Sequence, residues 1–138
     1  MCVENLILIG KRAKKASKLC QNLSTGLKNK ALLKSADALI YNKEKIIAAN
    51  KIDVSRAKEN GMKESLVDRL MLDEKRIESM AKGLKDVAAL PDPVGEVIYG
   101  KTLENGLNII QKRVPMGVIG IIYEARPNVT ADAFGLCF

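Results

Sequence analysis

Apolar positions recur at steps of three and four from the start of the chain. Leu6, Ile9, Ala13, Ala16, Cys20 and Leu23 share one side of a helix over 4–22, with the lysines on the other side. "LST" at 23–25 stops that helix and offers a cap for the next. Leu32, Leu33, Ala36, Leu39 and Ile40 repeat the spacing. "YNKE" at 41–44 is a short break, with Asn42 a cap for a third helix over 43–59. Gly61, in "ENG", suits the left-handed position past a helix end. A short helix is expected over 64–70. Another begins at Asp73, which caps it, and buries Ile77, Met80, Leu84 and Val87. Asp73, Glu74 and Glu78 favour the positive end of its dipole.

The period changes after "LPDPVGE" at 90–96. "EVIYGKTL" and "LNIIQKRV" flank "ENG", and Asn105 followed by Gly106 predicts a β-hairpin. "GVIGIIY" at 117–123 has no polar alternation, as in a strand of a parallel sheet buried on both faces. Thr130 or Asn128 can cap a helix from about Ala131 through Phe134 and Leu136. The predicted fold class is α/β, with an N-terminal helical layer over 1–90, a hairpin segment over 91–115, and the first strand and helix of an incomplete parallel sheet over 116–138. A strand buried on both faces needs neighbours on both sides. A β–turn–α unit is half of a βαβ crossover. The missing strands are therefore expected from further sequence or from another chain.

Composition narrows the chemistry. The chain has 138 residues, one domain by length, and apolar residues make up 47%. It has no His and no Trp, which removes the commonest general base and the commonest metal ligand. Cys2, Cys20 and Cys137 are odd in number and widely spaced, so they fit neither a disulfide framework nor a zinc site. No metal is expected. No run of 18 apolar residues exists, and the apolar part of the N-terminus precedes its basic part, the reverse of a secretory signal. A cytoplasmic protein without a membrane partner is expected. The net charge of +7 resides in residues 1–50, which hold ten Lys/Arg against Glu4, Asp37 and Glu44. A basic helical module binding nucleic acid or an acidic partner is therefore the alternative to an enzyme. With Tyr41 the single aromatic there, no stacking platform interleaves the charges, which favours a solvated helix face and no nucleic-acid partner.

The candidate site is "YEARPN" at 123–128, where the buried strand ends. In open parallel sheets ligands bind outside the carboxyl ends of the strands. An Asn amide at Asn128 can donate to a developing oxyanion, and a guanidinium at Arg126 can hold a carboxylate or phosphate. Pro127 fixes the backbone between them. The competing structural reading has Glu124 and Arg126 paired at the surface and Asn128 capping a helix. No glycine-rich phosphate loop is present.

"VPMGVIGIIYEARPNVTADAFGLC" resembles the γ-glutamyl phosphate reductase (glutamate-5-semialdehyde dehydrogenase) family of the aldehyde dehydrogenase superfamily. So do "ALLKSADAL", "NKIDVSRAKENG", "LVDRLMLDEKRIESMAKGLKDVAALPDPVGEV" and "NGL", in the same order. The resemblance implies a Rossmann-like sheet whose NADP-binding domain starts in 116–138. It implies reduction of γ-glutamyl phosphate with NADPH in proline biosynthesis, through a cysteine thioester, next to glutamate 5-kinase in the pathway. It implies that Asn128 is the catalytic oxyanion donor and that Arg126 faces the anionic substrate. It also implies that the backbone of Ile122, Tyr123 and Glu124 lies near the cofactor, and that the hairpin makes subunit contacts in a homo-oligomer. The family's chains are several times longer, and its nucleophile lies beyond residue 138. Cys137 falls where the family has a structural residue. Ala125 stands in place of a usual Ser, and Phe138 in place of a usual Leu. The resemblance thus predicts an N-terminal fragment, inactive alone.

Overall fold

The computed structural model describes residues 3–138. Cys2, singled out above, lies outside the described residues. The elements are α1 (Val3–Cys20), α2 (Thr25–Tyr41), α3 (Lys43–Glu59), α4 (Glu64–Leu70), α5 (Glu74–Ala89), β1 (Val97–Thr102), β2 (Asn108–Lys112) and α6 (Asn128–Cys137). They fall into two units, Met1–Leu23 with Pro91–Ile119, and Ser24–Leu90 with Gly120–Phe138.

In the first unit α1 forms where the spacing places it, yet Leu6 and Ile9 of its apolar stripe are exposed. The hairpin pairs β1 with β2 antiparallel, with an irregularity in the register between Val97 and Tyr99. Its turn follows the Asn-Gly signal. Gly106 has φ +84°, a left-handed conformation that favours glycine, and Asn105 Oδ1 accepts from the Leu107 N–H at 3.1 Å. Arg113 donates to the Glu96 carboxylate at 2.7 Å beside the open end. Both strands are exposed along their length.

The second unit contains the core. α5 is its centre because its apolar stripe is broad: Ile77, Met80, Ala81, Leu84 and Ala88 are all buried, Ile77 completely. It packs against α2 through Leu32 and Ala36 and against α6 through Ala131. The approach of α6 is close. A Cβ placed on Gly135 would lie 2.7 Å from Leu84 Cδ2, so any larger residue there needs the buried Leu84 side chain to shift. Val87, expected in the core, is half-buried.

The caps follow the sequence in part. Ser24 and Asp73 accept from the N–H groups of Leu27 and Arg76, at 3.3 and 2.7 Å. Asn42 does not cap α3 with its side chain. Its amide turns back to the Ala38 carbonyl at 2.8 Å and closes the end of α2. Neither Asn128 nor Thr130 caps α6, which begins at Asn128 itself, three residues earlier than expected. The strand expected over 117–123 is not formed. Those residues join no ladder, and Val118, Ile119, Ile121, Ile122 and Tyr123 are exposed. A parallel strand makes its hydrogen bonds only to neighbours, and the only strand pair among the described residues is the hairpin. The α/β class stands, as helices plus a two-stranded antiparallel hairpin.

Candidate active site

Two turns and three helix ends of the second unit meet at a cleft of about 410 Å³. Asp68, Arg69, Met71, Leu72, Arg76, Ser79 and Met80 line it from α4, α5 and the chain between them, and Arg126, Asn128 and Asp132 line it from the start of α6. α4 has to stop for this wall to exist. "MLD" at 71–73 separates it from α5, and Met71 is extended, at ψ 134°.

A buried polar side chain fixes that break. Asn50 of α3 is only 6% exposed. Its Nδ2 donates to the Leu70 carbonyl at 2.8 Å, and its Oδ1 accepts from the Leu72 N–H at 2.6 Å. Both flanks of Met71 are thereby held, and a buried N–H is satisfied. Arg76 holds the same segment from the other direction. It donates to the carbonyls of Asp68 and Met71, the latter at 2.7 Å, and pairs with the Asp68 carboxylate at 3.0 Å. The Arg76 guanidinium is thus occupied by the protein.

On the facing element the chain enters α6 through Ala125, whose φ of +51° is left-handed and costs a non-glycine residue about 1 kcal/mol. Asn128 Nδ2 donates to Asp132 Oδ2 at 3.0 Å, one helical turn on. An amide nitrogen carries two hydrogens, so one N–H is held and the other is available. Arg126 and Glu124 form no ion pair with each other or with any other described residue. The surface-pair reading of this stretch is therefore not what the structure adopts.

The structure brings Arg126 and Asn128 together in the cleft. Ile122, Tyr123 and Glu124 do not line it. Ile122 is fully exposed, and the Tyr123 hydroxyl lies 2.5 Å from Thr130 Oγ1. Cys20 and Cys137 are free thiols outside it. Sequence reasoning missed the opposite wall: Asp68, Arg69, Arg76 and the chain at 71–72. The available signal was the pair of arginines flanking a helix break in "DRLMLDEKR". No group of three or more candidate metal ligands occurs among the described residues, and no described helix is long and apolar enough to cross a membrane.

No protein-family model matches the chain. The γ-glutamyl phosphate reductase of Clostridium tetani is 57% identical over 132 residues, 96% of this chain and 31% of its own length. The crystal structure of γ-glutamyl phosphate reductase from Thermotoga maritima matches with a TM-score of 0.92 and 49% identity, over 95% of this chain and 32% of that one. That from Saccharomyces cerevisiae matches at 0.88 and 42%, over 94% and 33%. The chain spans about a third of the length of the relatives it matches. Over that third, in sequence and in backbone, it belongs to the γ-glutamyl phosphate reductase family.

Proposed function

We propose that the chain is part of an enzyme that reduces γ-glutamyl phosphate to glutamate 5-semialdehyde with NADPH, in proline biosynthesis. The observation that carries this reading is the meeting of Arg126 and Asn128 in one cleft of a chain that matches reductases of that name along nearly its whole length. A thiolate attacking the acyl phosphate carbonyl places negative charge on its oxygen. The free N–H of Asn128, with its partner N–H anchored on Asp132, is a preorganised donor for that oxygen. The unpaired Arg126 offers a planar fork to the phosphate that leaves. Neither described cysteine lines the cleft, so the nucleophile is assigned to the part of the relatives' length that this chain does not span.

NADPH, when bound, supplies the hydride. The residues proposed to face it are Ile122, Tyr123 and Glu124. Support comes from their main chain, which joins no ladder, and from the open position of Ile122. The chain has no glycine-rich loop for the pyrophosphate, so no grip on that group is assigned to it. The choice of NADPH over NADH, supply of substrate by glutamate 5-kinase, a cytoplasmic location and a homo-oligomer contacted through the hairpin complete the proposal. The segments 1–90, 91–115 and 116–138 are proposed as the helical, bridging and cofactor-domain parts of the whole enzyme.

The test is NADPH oxidation with γ-glutamyl phosphate. The full-length enzyme is expected to turn over and the 138-residue chain alone to show none. Turnover by the short chain would overturn the assignment of the nucleophile. Inactivity of the full-length enzyme would overturn the substrate.

A further inference from the structure

We infer that Arg69 is the residue that recognises the α-carboxylate of the substrate, and so makes the enzyme selective for an amino-acid aldehyde over a simple one. The inference rests on the functional reading above and deepens it. Three guanidiniums line the cleft. Arg76 is occupied by Asp68 and two carbonyls. Arg69 and Arg126 have no side-chain partner among the described residues. Asp68 is neutralised by Arg76, while Asp132 keeps its charge and is hydrogen-bonded by the neutral amide of Asn128. Two unpaired cations therefore remain in one cleft.

γ-Glutamyl phosphate carries two anionic groups, an acyl phosphate at one end and an α-carboxylate at the other. Arg126 is two residues from Asn128 and on the same segment, so it serves the phosphate end, where the carbonyl reacts. Arg69 comes from a different element, the last turn of α4. This second cation, carried by the wall facing Asn128, is assigned to the α-carboxylate. A guanidinium matches a carboxylate with two parallel hydrogen bonds, which an ammonium cannot reproduce. The segment that follows Arg69 is held by Asn50 and Arg76, so the residue is presented by a fixed wall.

The test uses the full-length enzyme in the oxidative direction, with phosphate and NADP⁺, on two aldehydes. One is glutamate 5-semialdehyde. The other is 4-aminobutanal, the same skeleton without the α-carboxylate. Arg69→Gln is expected to raise the KM for glutamate 5-semialdehyde roughly 10- to 100-fold, the loss of one charge-assisted pair. The KM values for phosphate and 4-aminobutanal should change by less than about twofold, and kcat should persist. Arg69→Lys should recover part of the loss. Arg69 is exposed, so the variants are expected to fold, and a circular dichroism melt checks this. An unchanged KM for glutamate 5-semialdehyde, or an equal rise for both aldehydes, overturns the inference while the functional reading stands. A wild-type enzyme that oxidises neither aldehyde removes that reading itself.

Discussion

Replacing Asn50 by alanine removes the clamp on the break between α4 and α5. Two hydrogen bonds go, at 2.8 and 2.6 Å, each worth about 1 kcal/mol net. The Leu72 N–H then stays in a buried position without an acceptor, since Leu72 is 8% exposed. Such an orphaned donor costs about 1–3 kcal/mol more than a satisfied one, partly overlapping the first term. The expected destabilisation is about 2–4 kcal/mol. For a domain of this size that is a fall in melting temperature of roughly 8–15 °C. Thermal unfolding followed at 222 nm measures it, and amide hydrogen exchange at Leu72 localises it. Ser55→Ala is the control: it removes an exposed contact to Glu59 at 3.0 Å and should shift stability by no more than about 0.5 kcal/mol. If Asn50→Ala melts within about 2 °C of wild type, the segment is held by something else and the reasoning fails.

Two further substitutions probe the entry and the packing of α6. Gly135→Ala should destabilise by about 1–2 kcal/mol although helix propensity alone predicts a gain of about 1 kcal/mol, because the new Cβ meets Leu84 Cδ2 at 2.7 Å. A rise in melting temperature would show that Leu84 gives way freely. Ala125→Gly should be neutral or stabilising by up to about 1 kcal/mol, while the β-branched Ala125→Val should cost more than 1 kcal/mol at a φ of +51°. Equal stability of the two variants in denaturant titrations would remove the strained conformation from the account.

The helices were legible because each carries its own information. The period of Ile77, Met80 and Leu84 and the caps at Ser24 and Asp73 act over one or two turns. The hairpin was legible from Asn105 and Gly106, since a two-residue signal determines the turn. The stretch at 117–123 was not, because a parallel strand is a property of its neighbours and composition shows only a demand for burial. Asn42 shows a different limit. A side chain between two helices can serve either, and here it bonds backward to Ala38. At the site, Arg126 and Asn128 stood out because Pro127 and the apolar run set them apart. The opposite wall did not, because Arg69 and Arg76 look like ordinary solvated charges until Asn50, twenty residues upstream, folds the chain at Met71 around them.

The most direct test of the central claim is the kcat of full-length Asn128→Ala, with γ-glutamyl phosphate and NADPH at saturation. If Asn128 donates to the oxyanion, kcat falls by about 10²–10³-fold while KM for γ-glutamyl phosphate changes little, and the melting temperature stays close to wild type, because the side chain is exposed and among the described residues bonds to Asp132 alone. A kcat within about threefold of wild type would contradict it, and would leave the cleft of Arg126 and Asn128 without the role assigned to it.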